Sequence, residues 1–161
     1  MIEKNYNGNI FLLPDKQDAC IVTTNGNVKN NGRAVMGAGI AKYCRDTFHG
    51  VDRILADNLK KGNHCYYLGN WYVPGSAHTM FTLYSFPTKY DWHEKSDIGL
   101  IKQSCEEIME LVDKDVIHKV YMPCPGCSNG GLDYYGIVRP VLKDELDDRF
   151  VVCISDNIKP F

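Results

Sequence analysis

The sequence has no apolar run approaching the ~20 residues that a membrane-spanning helix needs, so a soluble chain with no membrane partner is expected. It has little net charge, -2 over 161 residues. That argues against broad, charge-driven binding to nucleic acid, and leaves room for a modified base or nucleotide recognised as a small molecule. No basic segment followed by a short apolar stretch opens the chain, and its seven cysteines are an odd set without regular spacing. A secreted disulfide scaffold is therefore not expected, and reduced thiols in a cytoplasmic protein are. Repeats, low-complexity tracts and linkers are also missing, and the length suits one domain, 1–161, able to bury a core without disulfides or metal.

What is present alternates between strand and helix signals. Asn9 to Leu13 and Ala19 to Thr24 are short apolar segments separated by the turn signal Pro14-Asp15, and both read as strands, paired or adjacent. Ile40, Tyr43, Cys44 and Phe48, then Val51, Ile54, Leu55 and Leu59, recur at helical spacing on either side of His49-Gly50, which predicts two consecutive helices, the second ending near Gly62. Cys65 to Val73 and Thr79 to Phe86 flank Pro74-Gly75-Ser76 and read as a strand pair. Ile98, Ile101, Cys105, Ile108 and Val112 trace one face of a long helix, with Ser96 or Asp97 as its N-cap. Val116 to Met122 reads as a strand, Tyr135 to Leu146 as a helix limited early by Pro140, and Phe150 to Ile154 as a last strand. The alternation implies an α/β layer fold around a mostly parallel sheet, with ligands bound where strands feed helices.

Two glycine-rich loops fall at such junctions. Gly32 to Ala41 runs through Met36-Gly37-Ala38-Gly39-Ile40 into the first helix. Glycines let backbone approach a ligand closely, and the first N–H groups of a helix have no intrahelical partner, so the junction is an anion site. Close packing of helix on strand is the plainer use of Gly37 and Gly39. The second loop, Pro125-Gly126-Cys127-Ser128-Asn129-Gly130-Gly131, follows a predicted strand, so the pair can hold a diphosphate between them. Gly37-Ala38-Gly39 meets the dinucleotide fingerprint only in part, and neither loop has the Gly-Lys-Ser/Thr ending of a triphosphate-binding loop.

Other residues carry candidate chemistry. Lys89, in Phe86-Pro87-Thr88-Lys89-Tyr90-Asp91-Trp92, ends a predicted strand. Folded over a diphosphate it is a candidate nucleophile or electrostatic clamp, and otherwise a solvated charge; nucleophilic use requires its pKa to fall from ~10.4. Cys124-Pro125-Gly126-Cys127 admits a redox or zinc reading, but no second C-x-x-C supplies further ligands, so buried thiols and no metal are expected. Asp133 reads as a helix N-cap, and Asn25 as a turn residue or a donor to a ligand hydroxyl.

In order along the chain, Gly8-Asn9-Ile10, Asp18-Ala19-Cys20-Ile21-Val22-Thr23-Thr24-Asn25, Met36-Gly37-Ala38-Gly39-Ile40-Ala41, Phe86-Pro87-Thr88-Lys89 with Trp92, and Gly126 to Asp133 resemble the macro domain, an ADP-ribose-binding module. The fourth and fifth segments are most similar to the branch that contains the antitoxin removing ADP-ribose from DNA and the terminal ADP-ribose glycohydrolase. The resemblance implies a three-layer α/β/α sandwich with a central mixed, mostly parallel sheet. It places Asn9 and Ile10 against adenine and Asn25 on the distal ribose. Met36, Gly37, Ala38, Gly39 and Ile40 would hold one phosphate, and Cys127, Ser128, Asn129, Gly130 and Gly131 the other. Lys89 would act at the distal C1″. The implied activity is Lys89-dependent hydrolysis of ADP-ribosyl linkages to DNA or protein, by a monomer without cofactor. A phosphatase acting on ADP-ribose 1″-phosphate and a non-catalytic reader are the alternatives. Three departures stand out: Asn9 where the family commonly has aspartate, Val22 for the first asparagine of its strand, and Gly130 where the glycohydrolase has a catalytic aspartate.

Overall fold

In a computed structural model of the protein, residues 1–159 are described; Pro160 and Phe161, the last two of the expected 1–161 domain, lie outside them. The strands are β1 (Ile2–Asn5), β2 (Ala19–Thr24), β3 (Tyr67–Tyr72), β4 (Met80–Pro87), β5 (Val120–Pro123) and β6 (Phe150–Ile154). The α-helices are α1 (Gly39–Thr47), α2 (Val51–Leu59), α3 (Ile98–Lys114) and α4 (Arg139–Glu145). One mixed sheet has the order β1-β6-β5-β2-β4-β3, parallel except where β3 runs against β4.

β2 lies at the middle, pairing Ala19 with Thr82 of β4 and with Val120 of β5. Its side chains feed two cores. Ala19 and Ile21 pack with Ile101, Cys105, Ile108 and Leu142 from α3 and α4. Cys20 and Val22 pack with Cys44, Val51 and Leu55 from α1 and α2. A strand buried on both faces has to be apolar throughout, which is why this run was legible and why Val22 is core. Helices on both faces make the three layers expected.

Parallel pairing brings the C-terminal ends of β2, β4 and β5 to one edge of the sheet. The segments that leave them, 25–38, 88–97 and 124–133, therefore gather there, where open α/β sheets form ligand clefts. No helix among the described residues is long and apolar enough to cross a membrane.

Four local expectations require correction. Asn9 to Leu13 is no strand: the Asn9 side chain accepts a hydrogen bond from Phe11 N–H at 3.0 Å and caps a 3-10 turn over Ile10–Leu12, a local bond that displaces the ladder. β1 went unforeseen because its Ile-Glu-Lys-Asn has one apolar residue; it is a largely exposed edge strand, where charge is tolerated. Val116 to Lys119 is no strand either, since Val116 takes φ 54° and Ile117 N–H closes α3 by donating to Val112 C=O at 3.0 Å. The span Tyr135 to Leu146 divides at Pro140: a π-turn over Tyr134–Val138 precedes α4. Proline has no N–H for the Gly136 carbonyl, so the wider turn resets the ladder.

The edge strand is tied down by charge. Glu3 accepts hydrogen bonds from Arg139 Nε at 2.8 Å and the Tyr134 hydroxyl at 3.0 Å. Burial alone would raise its pKa, but these bonds and the Arg139 charge more than offset that and hold it below the ordinary value. A lowered folded pKa means stability that is present above the unfolded value and lost as pH falls through the folded one. Glu3→Gln is therefore expected to flatten the dependence of Tm on pH between about pH 5 and 3, as scanning calorimetry would read; an unchanged acid slope would remove Glu3 from this account.

Candidate functional site

The first wall of the cleft is the segment after β2. Asn25 fixes it at both ends, its Nδ2 donating to Val35 C=O at 3.1 Å and its Oδ1 accepting from Asn27 N–H at 2.9 Å. Arg33 pairs with buried Asp52 of α2 at 3.0 Å, and Ala34 N–H donates to the Asp52 carbonyl. Met36 is buried beneath, while Gly37, Ala38 and Gly39 are exposed. α1 then starts at Gly39 with φ 57°, a conformation suited to glycine, and Ala38 supplies no side-chain cap. The opening N–H groups of α1 are thus left to a ligand.

The second wall is the loop after β5, closed by Leu132 N–H to Gly126 C=O at 3.0 Å and Gly131 N–H to Ser128 C=O at 3.3 Å. Ser96 braces it from behind: its N–H donates to Gly130 C=O at 3.0 Å, and a Cβ on Gly130 would collide with the Ser96 hydroxyl and lie 2.5 Å from Gly126 C=O. Gly130 is therefore a close-approach position and leaves no room for a carboxylate side chain. Asp97, of the two candidate caps, is the one that caps α3, accepting from Leu100 N–H at 3.0 Å.

Lys89 sits between the walls. Its backbone is clamped: Asn63 Nδ2 donates to Lys89 C=O at 3.0 Å, Gly26 N–H to Tyr90 C=O at 3.1 Å, and Asn27 bonds both Asp91 Oδ1 at 2.8 Å and Trp92 N–H at 2.7 Å. Its Nζ donates to Trp92 C=O at 3.3 Å and Asn129 C=O at 3.4 Å, bridging the lysine segment and the second loop. Asn27 and Asn63, which hold this segment, were not singled out from sequence; the Asn-Gly-Asn turn at 25–27 was a signal for Asn27 alone.

These parts enclose a cleft of about 760 Å³ lined by Asn25, residues 36–41, Lys89 and residues 126–131. A recess of about 300 Å³ opens from it across Gly39, Ile40 and Ser128, lined by Asn9, Ile10, Phe11 and Tyr43. Every candidate binding residue and Lys89 thus line one or other of these two neighbouring cavities, which share Gly39, Ile40 and Ser128. The recess also takes Tyr43, one of the residues that mark the helical spacing of α1, which is 41 % exposed. Two buried hydroxyls lining the main cleft, Thr24 Oγ1 and Ser96 Oγ, have no hydrogen-bond partner among the described residues.

Asp133 is not at the groove; it caps the π-turn, accepting from Gly136 N–H at 3.1 Å. Among the described residues all seven cysteines are free thiols, and no three His, Cys, Asp or Glu side chains cluster as metal ligands would. Burial raises the Cys124 thiol far above its ordinary range and pushes Cys127 up to about 12, the latter also by Asp133. Both therefore stay protonated at neutral pH, opposite to what a redox pair needs.

No family model matches the chain, and no curated protein does. Solved structures do. A structure of Thermosipho africanus DarTG in complex with ADP-ribose is 24% identical with a TM-score of 0.79, over 99% of this chain and 43% of that one. The macrodomain of Mycobacterium tuberculosis DarG is 21% identical with a TM-score of 0.69, over 96% and 97%. The macrodomain of Thermus aquaticus DarG is 19% identical with a TM-score of 0.68, over 96% and 98%. The chain spans less than half the length of the first of these and nearly all of the other two. At these TM-scores and over this coverage, the chain has the macrodomain fold.

Proposed function

We propose that the groove binds ADP-ribose and that the protein hydrolyses an ADP-ribosyl linkage to nucleic acid or protein, as a cytoplasmic monomer. The observation that carries the reading is the position of Lys89, its Nζ held between Trp92 C=O and Asn129 C=O of the second glycine loop, in the cleft that both loops line. The α1 N-terminus and the 126–131 backbone offer donors to a diphosphate, which fixes the distal ribose before any bond breaks. The ADP-ribose named for the Thermosipho structure agrees with such a ligand.

Lys89 reaches both carbonyls as a hydrogen-bond donor, which suits a clamp on developing negative charge. In that role it stabilises negative charge on the departing group as the bond to C1″ breaks, and water adds at C1″. A covalent lysine intermediate resolved by a loop carboxylate is not supported, since residues 124–131 include no Asp or Glu. The same feature favours, as a second reading, a reader that binds ADP-ribose without turnover.

The test is a substrate panel: thymidine-linked ADP-ribosylated DNA, ester-linked ADP-ribosylated protein and ADP-ribose 1″-phosphate, with products identified by mass spectrometry. ADP-ribose released from either macromolecule is expected. Release of inorganic phosphate alone would make the protein the phosphatase, and binding with no release from any substrate would make it the reader.

A further inference from the structure

The recess carries an inference that rests on the reading above, that the groove takes a nucleoside diphosphate ribose. With the diphosphate between the glycine loops and the distal ribose toward Lys89, the base is left to the recess, whose walls include Phe11, Ile10 and Ile40. Asn9 and Tyr43 line the recess and not the main cleft, so they stand at the end away from Lys89. The six-position of a purine lies far from the atom that bears its sugar, and it is therefore directed toward this pair.

The orientation of the Asn9 amide is fixed chemically. Phe11 N–H can only donate, and it lies 3.0 Å from Asn9 Oδ1. The other end of the amide must then be the NH₂ group, which donates to the Tyr43 hydroxyl at 2.6 Å. Having accepted that bond, Tyr43 has its own O–H to give, and the Asn9 NH₂ has a second hydrogen. The Tyr43 ring is held by stacking on buried Phe11, with centroids 5.7 Å apart and planes 9° from parallel. Tyr6 offers no competing donor, because its hydroxyl already bonds Asn9 C=O at 3.2 Å.

The base end therefore presents two donors and one amide oxygen with a lone pair left. A carboxylate at position 9 would accept from the adenine amino group and repel a carbonyl. The pair here serves either: the amide oxygen accepts from an adenine amine, and the two donors meet the six-oxygen of a hypoxanthine-type base. We infer that Asn9 and Tyr43 make the base subsite tolerant of 6-oxopurines, so that the groove binds inosine diphosphate ribose as readily as ADP-ribose.

Calorimetric titration with the two ligands, which differ only at the base edge, tests this. Wild-type dissociation constants are expected to lie within about threefold of each other. Asn9→Asp should shift the ratio toward ADP-ribose by about tenfold or more, because an unpaired or repelled oxygen at a partly buried edge is costly. Tyr43→Phe, which keeps the stacked ring, should weaken inosine diphosphate ribose severalfold more than it weakens ADP-ribose. A wild-type preference for ADP-ribose above about tenfold, or variants that leave the ratio where it was, would overturn the inference and spare the proposed function. Binding of neither ligand would overturn both.

Discussion

Lys89→Ala is expected to lower release of ADP-ribose by about 10²–10³-fold in kcat, while the affinity for free ADP-ribose changes by no more than a few-fold. The separation follows from the geometry. On the proposed reading the diphosphate is held by backbone N–H groups of residues 37–40 and of the second loop, whereas the one bond that Lys89 makes to that loop, to Asn129 C=O at 3.4 Å, leaves those N–H groups in place when it is removed. Lys89→Arg distinguishes the two chemical roles of the lysine. A clamp needs charge and donors, so arginine retains part of the rate, whereas a nucleophile needs an amine lone pair that a guanidinium does not offer. Single-turnover kinetics with affinity measured in parallel would read both. Equal loss of binding and rate in Lys89→Ala would make the lysine a binding residue only.

Gly130→Ala has the second large effect, and its cause is steric. The new Cβ would fall inside the Ser96 hydroxyl and lie 2.5 Å from Gly126 O and 2.8 Å from Gly126 C, so the loop backbone has to move. Overpacking of this kind costs about 1–3 kcal/mol, and the displaced N–H groups no longer meet a phosphate. A drop in Tm of about 3–10 °C and a loss of ADP-ribose affinity of about tenfold or more are expected. Ser96→Ala in the same chain removes one collision but not that with the Gly126 backbone, so it should not restore binding. Thermal melts with calorimetry on both variants would show this, and wild-type affinity in Gly130→Ala would mean that the second loop holds no phosphate.

The parts of the molecule that were legible in sequence are those where one physical demand dominates. β2 lies between two cores, and burial on both faces forces the unbroken apolar run Ala19 to Val22 with which it starts. The face of α3 is set by packing at helical spacing, and the glycine loops by backbone geometry, Gly39 taking φ 57° and Gly130 lying hard against Ser96 and Gly126. Illegible parts are settled by single side-chain or backbone hydrogen bonds. Asn9 ends strand formation by capping its own turn, Pro140 forces a wide turn before α4, and Val116 takes a left-handed conformation that its side chain does not announce.

The same division runs through the site. Lys89 and both loops stand in motifs, but the asparagines that hold the lysine segment act across the fold, Asn27 on Asp91 and Trp92 and Asn63 on Lys89 C=O. Nothing in their local sequence shows which segment will lie opposite. Tyr43 was not singled out for a related reason: it shares the helical spacing of α1, yet it stacks at the recess because Phe11 arrives from the capped turn.

The central claim is that the two glycine loops hold a diphosphate so that the distal ribose reaches Lys89. A crystal structure of the protein with ADP-ribose tests it most directly. The account expects phosphate oxygens against the N–H groups of Gly37 to Ile40 and of Cys127 to Gly131, with C1″ within about 4 Å of Lys89 Nζ. A diphosphate bound elsewhere, or a distal ribose directed away from Lys89, would contradict it.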